Sequence, residues 1–493
     1  MTQSKLPHPL VALIPLLTAV ALIALMLTLF RENALEGGSQ VALMLASTVC
    51  VAIAMIGYGA KWQDFEDCIK RTIGSTSVSI LVLLLIGMLS GAWMISGVVP
   101  TFIYYGIQIM SPRFFPLCAC VICGIVSLMT GSSWTTIATI GVALLGIGNA
   151  LGVPEAVTAG AIISGAYFGD KMSPLSDTTV LASSVAETDL FRHIRYMTIT
   201  TVPSILITLI IFLCLGFAYD GAQIDVSEYT NGLQRTFNIS LWTLIVPLFT
   251  AVLIYFKVSS PITLLLSALS AGVCALIMQP DILATIGSGA GADWLVMAKG
   301  LILTFASSTS LETGSEAVNE LVSTSGMAGM LNTVWLILCA MCFGSCMMAS
   351  RMLESITNMV LKFIRNTFSM VTSMVVTGIC MNLIMGDQYL SIVLNESMYK
   401  DIFKKRGYMP ELLSRSAEDS ATVTSVLIPW NSCGMTQSTV LGVATLTYLP
   451  FCFYNILTPL MSCLVAAIGW KIKRLAPTAE TKKLLVSGKT KMQ

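Results

Sequence analysis

The sequence predicts an all-α polytopic membrane protein made of two inverted-topology repeats with re-entrant hairpins and broken helices. Of its 493 residues, 55% are hydrophobic and only 11% are charged, whereas soluble domains carry about 25% charged residues. The mean hydropathy is +0.82, and apolar segments of about 18 to 25 residues, the length of a membrane-spanning helix, recur from end to end. These observations argue against a soluble enzyme, and the net charge of +1 does not indicate a nucleic-acid partner.

The apolar segments predict the membrane spans in chain order. The first, residues 10–30, is too long for the core of a signal peptide, so we interpret it as a retained helix. Several later segments are short for a full crossing and pair into hairpins or broken helices. The predicted spans are residues 10–30, 40–59, 74–97, 98–110, 114–130 with 133–151, 155–185, 196–219, 239–257, 260–279, 295–307, 327–350, 352–364, 367–385 with 388–400, 410–445 and 446–470.

The charge of the connecting loops predicts the orientation of the chain. Basic residues cluster near Lys61, Arg71 and Arg192, and such clusters are typical of cytoplasmic loops. Loop 220–238 and insert 306–326 are acidic, so we expect both of them outside. Both termini, including a tail at 475–493, are then cytoplasmic, and the membrane is a bacterial inner membrane.

The cysteines indicate packing rather than metal chemistry. Most of the fourteen cysteines lie inside apolar segments, and the chain contains only two histidines. A zinc site of mixed cysteine and histidine ligands therefore has no suitable spacing. Abundant free thiols also fit a membrane that faces a reducing cytosol.

The two halves of the chain repeat each other. The first pairs of matching residues share one offset, the later pairs share a larger one, and a single insertion the size of the acidic insert reconciles them. The matching pairs are Pro15 and Pro247, Trp62 and Trp294, Gly131 and Gly386, and Pro174 and Pro429. Because the loop charges place the halves in opposite orientations, the repeat is of the inverted type found in secondary transporters.

The predicted repeat boundaries follow from these matches. The first repeat covers residues 1–225, with a hairpin at about 114–151 and a broken helix at about 155–185. The second covers residues 239–474, with a hairpin at about 367–400 and a broken helix at about 410–445. Irregular backbone at membrane depth is tolerated only where it lines a cavity or is buried in protein, so we expect the hairpin tips and helix breaks to form the functional site.

Asp170 and Asp177 are the leading candidates for ion binding, and we predict that they bind sodium. They lie in the polar run 169–179, which interrupts the first broken helix. A carboxylate at membrane depth is costly unless it faces protein, water or an ion. A proton and a sodium ion then compete for the same oxygens. The alternatives are that Asp170 pairs with Lys171 and that Asp177 caps the second half-helix.

Further polar residues near the tips and breaks are candidates for substrate or ion binding. Lys171 is either a tethered counter-charge or a lysine whose head reaches the interface. Asp419 belongs to the site or pairs with Arg415, and Asp387 belongs to the site or pairs with a basic residue. The hydroxyls and the amide belong to the site or satisfy the backbone at the breaks. These candidates are Lys171, Ser132, Ser133, Ser173, Ser176, Thr178, Asp387, Asp419, Asn431 and Ser432.

Four motifs resemble those of NhaC-type sodium/proton antiporters, and the similarity extends over roughly residues 9–470. They are GAWMISGVVP at 91–100, TGSSWTT at 130–136, GDKMSPLSDTT at 169–179 and EDSATVTSVLIPWNSCG at 418–434. The resemblance implies sodium coupling, inverted repeats with tip-to-tip hairpins, and alternating access by an elevator-like transport domain, with a homodimer favoured. The family also includes exchangers that swap sodium and lactate for protons and malate.

We therefore expect a secondary active transporter that exchanges cytoplasmic sodium for external protons. No ATP-binding loop of the form GxxxxGK[ST] occurs in the sequence. We expect no enzymatic activity and no cofactor, only sodium as the coupled ion. The alternative is a sodium-coupled transporter or exchanger of an amino acid or small carboxylate, because the hydroxyls, the amide and Lys171 exceed what a bare ion needs.

Overall fold

A computed structural model describes residues 5–30, 37–219, 226–256, 258–288, 293–313, 318–319 and 322–474. The predicted cytoplasmic tail at 475–493 lies outside the described residues, as do residues 220–225 of the acidic loop and 314–317 and 320–321 of the acidic insert. Within the described ranges every regular element is a helix, and the only β-type pairings are two isolated bridges.

The described part of the first half contains ten α-helices, and the predicted hairpin and broken helix fall on α5 to α9. A π-helical turn, Ile137–Gly141, connects α6 to α7. The helices are α1 Pro9–Phe30, α2 Gly38–Tyr58, α3 Trp62–Ile95, α4 Val98–Ile109, α5 Phe115–Thr130, α6 Ser133–Thr136, α7 Val142–Ala150, α8 Glu155–Met172, α9 Asp177–Val185 and α10 Leu190–Gly216.

The second half follows a similar order. A second π-helical turn, Glu418–Thr422, follows α20, and a 3₁₀ turn, Ser425–Leu427, precedes α21. The described helices are α11 Val226–Thr236, α12 Ile245–Tyr255, α13 Ser260–Met278, α14 Pro280–Ile286, α15 Trp294–Ala306, α16 Leu331–Ala349, α17 Met352–Leu361, α18 Thr367–Met385, α19 Gln388–Lys405, α20 Pro410–Ala417, α21 Ser432–Leu441, α22 Thr445–Tyr448 and α23 Phe453–Ile468.

The lengths of the helices confirm a polytopic membrane protein. Among the described residues, eight helices are long and apolar enough to cross a membrane, and up to ten if each of two bent helix pairs is one span. The bent pairs, at 229–255 and 445–468, turn by 85° and 58°. Three of the predicted spans, at 98–110, 114–130 and 295–307, are shorter helices of 12, 16 and 13 residues.

The predicted helix breaks are present in both halves. α8 ends at Met172 and α9 begins at Asp177, so residues 173–176 form the first break. Pro174 lies in this break, and it lacks the N–H that a continuous helix would need. In the second half the helix loosens into the π-helical turn at 418–422, and residues 428–431 separate this arm from α21. The prediction of broken helices is therefore confirmed.

Each hairpin tip packs against the break of its own half. Gly131 and Gly386 end α5 and α18 with φ of +68° and +62°, a conformation that strongly favours glycine. A Cβ on Gly131 would lie 2.6 Å from the backbone carbon of Leu175, in the first break. A Cβ on Gly386 would lie 3.4 Å from the carbonyl oxygen of Trp430, in the second. Tip and break therefore form one polar layer in each half.

Candidate functional site

A cavity of about 440 Å³ lies where the first hairpin tip, the first break and the start of α19 meet. Its remaining wall comes from α3 and from the segment that joins α12 to α13. The predicted site residues in its lining are Ser132, Asp170, Ser176, Asp177 and Thr178. The structure therefore brings both predicted sodium-binding carboxylates to one cavity.

Asp170 is held at the cavity wall by the hairpin tip. Its side chain is 7% exposed. Ser133 donates both its backbone N–H, at 3.1 Å, and its hydroxyl, at 2.7 Å, to Oδ2 of Asp170. None of the ion pairs among the described residues involves Asp170. The alternative that Asp170 pairs with Lys171 is thus not what the structure contains.

Asp177 is exposed and is the first residue of α9, where the helix dipole favours a negative charge. The residue that caps α9 is Ser176, whose Oγ accepts from the backbone N–H of Thr179 at 3.5 Å. The hydroxyls of Ser176 and Thr178 lie 3.0 Å apart. The capping role considered for Asp177 therefore belongs to Ser176, and the Asp177 carboxylate faces the cavity.

Ser132 and Ser173 stabilise the local backbone of the tip and the break. Ser132 caps α6, because its Oγ accepts from the N–H and the hydroxyl of Thr135 at 3.2 and 3.1 Å. Ser173 is buried, and its Oγ accepts from the N–H of Leu175 at 3.2 Å. Of the two, only Ser132 also lines the cavity.

The second half places its carboxylate on the hairpin rather than on the broken helix. Asp387 is buried at the start of α19, and it accepts from the N–H of Leu390 at 2.9 Å and from the hydroxyl of Ser432 at 3.4 Å. Within the described ranges Asp387 forms no ion pair with a basic residue. In the first half a serine of the hairpin donates to an aspartate of the broken helix. In the second half a serine of the broken helix donates to an aspartate of the hairpin.

Asn431 joins the second break to α18. Its amide donates to the backbone oxygen of Asn382 at 3.2 Å, and its Oδ1 accepts from the N–H of Cys433 at 3.1 Å. The N–H of Ser432 donates to the backbone oxygen of Gly386 at 2.8 Å. Asn431 therefore caps α21, as one of the two sequence interpretations proposed, and neither it nor Ser432 lines the cavity.

Lys171 and Asp419 form a buried ion pair behind the cavity. Both side chains are fully buried, and Nζ of Lys171 contacts Oδ1 of Asp419. The same oxygen accepts from the hydroxyl of Thr200 at 3.0 Å, and Nε of Arg415 lies 3.7 Å from Oδ2. Lys171 thus does not reach the interface, and Asp419 does not line the cavity. The pair joins the two broken helices.

Several polar residues of this region were missed by the sequence analysis as individual candidates. Gln388 and Tyr389 line the cavity beside the predicted residues. Asn382 donates to the backbone oxygen of Ala421 at 2.7 Å, where the π-helical turn frees a carbonyl. An asparagine inside the apolar helix α18 was the signal that could have identified it, because a polar side chain there needs a buried partner.

The oxygen atoms around the cavity suit a hard monovalent cation. Carboxylate and hydroxyl oxygens from Asp170, Asp177, Ser132 and Thr178 surround it, and oxygen ligands are the type that such cations prefer. In the part of the chain that the structure describes, no cluster of three or more histidine, cysteine, aspartate or glutamate side chains has the geometry of a metal site. The cavity is therefore lined by two carboxylates and by several neutral hydroxyl oxygens.

A sequence model of the Na⁺/H⁺ antiporter family matches residues 165–470. The chain is 36% identical over 428 residues to the Na⁺/H⁺ antiporter NhaC of Bacillus subtilis, covering 86% of this chain and 91% of that protein.

Two further relatives carry names that include organic solutes. The chain is 34% identical to the malate-2H⁺/Na⁺-lactate antiporter of Bacillus subtilis over 84% of this chain and 85% of that protein. It is 31% identical to the arginine/ornithine antiporter ArcD of Halobacterium salinarum over 94% of this chain and 92% of that protein. These relatives differ in the solutes that their names state.

Proposed function

The chain belongs to the Na⁺/H⁺ antiporter family, and on that premise we propose that it exchanges cytoplasmic sodium for external protons at the cavity that contains Asp170 and Asp177. The observation that carries this proposal is Asp170 itself. It is a buried carboxylate on a cavity wall, it accepts two hydrogen bonds from Ser133, and no ion pair is recorded for it in the described residues.

The chemistry of the exchange follows from that geometry. A carboxylate at membrane depth is costly without a compensating charge, so either a proton or a sodium ion occupies it. Asp177 adds a second negative charge on the same cavity, and the hydroxyls of Ser132 and Thr178 offer neutral oxygens. Sodium and the proton therefore compete, and each turnover releases one where the other binds.

We further propose that the loaded site is exposed alternately to the two sides by an elevator-like movement. The packing of each hairpin tip against its own break, at Gly131 and Gly386, supports a transport unit that moves as a whole. The driving force is the proton gradient. When more than one proton enters per sodium, the membrane potential adds about 2.3 kcal/mol per charge per 100 mV.

The orientation of the chain is also a proposal. We infer that residues 1–225 and 239–474 are inverted repeats in a bacterial inner membrane, with both termini cytoplasmic. The reciprocal contacts of Ser133 with Asp170 and of Asp387 with Ser432 support two related halves. The basic loops near Lys61 support the orientation.

Proteoliposomes that contain a pH-sensitive dye test the exchange. We expect a sodium pulse to collapse an imposed pH gradient without any organic solute. Asp170→Asn should abolish this response, because the amide cannot exchange a proton for sodium. Asp401→Asn, on the exposed face of α19, is the matched control and should respond like the wild type. Wild-type exchange by Asp170→Asn would show that this carboxylate is structural.

The second candidate function is sodium-coupled exchange of an amino acid or small carboxylate. The cavity of about 440 Å³ is larger than a single sodium ion needs, and the names of two relatives include such solutes. In the same vesicles, a proton response that appears only after lactate, malate, arginine or ornithine is added would favour this function. A full response to sodium alone would favour the simple antiporter.

A further inference from the structure

Two glutamates, Glu396 on α19 and Glu418 at the start of the π-helical turn, are buried in the helix bundle. Each side chain is 0% exposed. None of their four carboxyl oxygens accepts a hydrogen bond of normal geometry from the described residues. α19, which carries Glu396, packs against the π-helical turn that begins at Glu418. Neither glutamate takes part in the proposed exchange at the cavity.

The pair lies apart from the cavity, in the second half of the protein. Neither glutamate lines the cavity wall. Close packing brings α18, α19 and the π-helical turn together around Gly378, where a Cβ would lie 2.4 Å from the hydroxyl of Ser420 and 2.8 Å from the amide of Asn395. The segments that carry the two buried carboxyls are therefore closely packed against each other.

The charged groups around the pair determine how many protons it holds. Lys171 and Asp170 of α8 and Asp419 of the π-helical turn face Glu418. Arg415 of α20 is buried beside Asp419, and Lys400 of α19 faces Glu396. α18 and α23 carry no charged residue, although α23 contributes the buried phenol of Tyr454. Asp177, the charged residue of α9, is exposed to the cavity.

The charges around Glu418 and Asp419 sum to +1 when both glutamates are protonated and the Asp170 carboxylate is neutralised by a proton or a sodium ion. Lys171 and Arg415 contribute two positive charges, and Asp419 contributes one negative charge. Lys400 pairs at 2.8 Å with Glu187, in the exposed loop after α9, where the contact holds the pKa of Glu187 below its usual range. Ionising one glutamate makes the Lys171–Arg415–Asp419 cluster neutral, whereas ionising both leaves an uncompensated buried charge, which is strongly unfavourable.

We propose that Glu396 and Glu418 form a second proton-binding site, which holds one exchangeable proton and is coupled to the sodium site through Lys171. Lys171 directly follows Asp170 in α8 and is the ion-pair partner of Asp419, the residue after Glu418, so the ammonium group links the sodium site to the buried cluster. This inference rests on the proposed sodium/proton exchange and deepens it.

A second proton-binding site changes the number of protons moved per sodium ion. The proton that competes with sodium at Asp170 accounts for one proton per sodium. A proton that leaves and returns to the glutamate pair in the same cycle adds a second, which makes each turnover carry net charge. The exchange would then respond to the membrane potential.

The test compares the wild type with Glu396→Gln, Glu418→Gln and the double variant in proteoliposomes. Uptake of radioactive sodium, the dye response and the current on a supported membrane are measured together. We expect the wild type to generate current, and the double variant to keep sodium uptake while its ratio of protons to sodium falls from about two to about one. Asp401→Asn is again the control, and its ratio should not change.

An infrared titration provides a readout that does not depend on transport. In Asp170→Asn, which lacks the buried carboxyl of the cavity, the absorption band of a protonated carboxyl should persist and titrate, and adding Glu418→Gln should reduce it. This measurement also applies if the double variant fails to insert. If the wild type moves no protons on addition of sodium, the proposed exchange fails, and the infrared titration still decides on the glutamate pair.

An unchanged proton-to-sodium ratio in an active double variant would show that the pair is not part of the cycle. An infrared band that does not titrate would show that the glutamates are permanently protonated packing residues.

Discussion

Substitution of Ser133 by alanine removes one of the two hydrogen bonds that Asp170 accepts from Ser133 and leaves the carboxylate in place. The hydroxyl donates to Oδ2 at 2.7 Å, and the backbone N–H at 3.1 Å remains after the substitution. A hydrogen bond to a charged group contributes about 1.5 to 3 kcal/mol. Because the remaining donor compensates in part, we take the lower end, about 1.5 kcal/mol, which corresponds to about a tenfold change in an equilibrium constant.

The expected result is a half-saturating sodium concentration that rises about tenfold in Ser133→Ala, with a maximal rate near that of the wild type. The reason is that sodium binds the ionised carboxylate, which the hydroxyl stabilises, whereas the proton binds it in competition. The effect should be largest at acidic pH and smaller at alkaline pH, where few protons compete.

The assay is the initial rate of sodium-driven proton release from proteoliposomes over a range of sodium concentrations at three pH values. Ser47→Ala is the matched control, because the hydroxyl of this buried serine of α2 donates to the carbonyl of Leu43 in its own helix, at 2.8 Å, and does not line the cavity. A half-saturating concentration within twofold of the wild type at every pH would refute the role of Ser133.

Three further predictions concern the scaffold and the orientation. Gly131→Ala should lower thermal stability and exchange, because the Cβ would lie 2.6 Å from the backbone of the break. The control Gly407→Ala, with φ of +72° and open space around it, introduces only the backbone strain. Equal effects of the two substitutions would contradict the role of the contact. Asp419→Asn should destabilise the protein by about 3 to 5 kcal/mol in a detergent unfolding assay, because it leaves buried cations unpaired. Adding Lys171→Met in the same chain should restore part of the lost stability. An impermeant thiol reagent should label a cysteine placed at Glu312 from outside, and labelling from the cytoplasm would contradict the inverted orientation.

Much of the architecture could be predicted from local sequence features. Apolar length predicted the spanning helices, and Pro174 with its polar neighbours predicted the first break, which the structure places at 173–176. These features depend on a few adjacent residues, since bilayer thickness determines helix length and a proline removes one backbone donor. The π-helical turn at 418–422 was not predicted, because no residue type marks it.

The site was predicted less completely than the fold. The sequence analysis selected Asp170 and Asp177, and both line one cavity. It left Lys171 and Asp419 with open alternatives, and the structure pairs these two with each other across 248 positions of the chain. It proposed Ser173, Asn431 and Ser432 as ion ligands or backbone partners, and the structure gives them backbone or side-chain partners away from the cavity.

The sequence by itself determined that this protein is a helical membrane protein with broken helices and costly carboxylates near the breaks, because hydropathy and backbone chemistry act over short distances along the chain. Only the tertiary structure decided which charge compensates which. Glu396 shows this most clearly. In the sequence it is an ordinary residue of a polar helix. It becomes a buried carboxyl without a hydrogen-bond partner among the described residues only when α19 packs against the second broken helix. The cost of burying a charge depends on neighbours that are remote in sequence, and those neighbours are set by the packing of the helices.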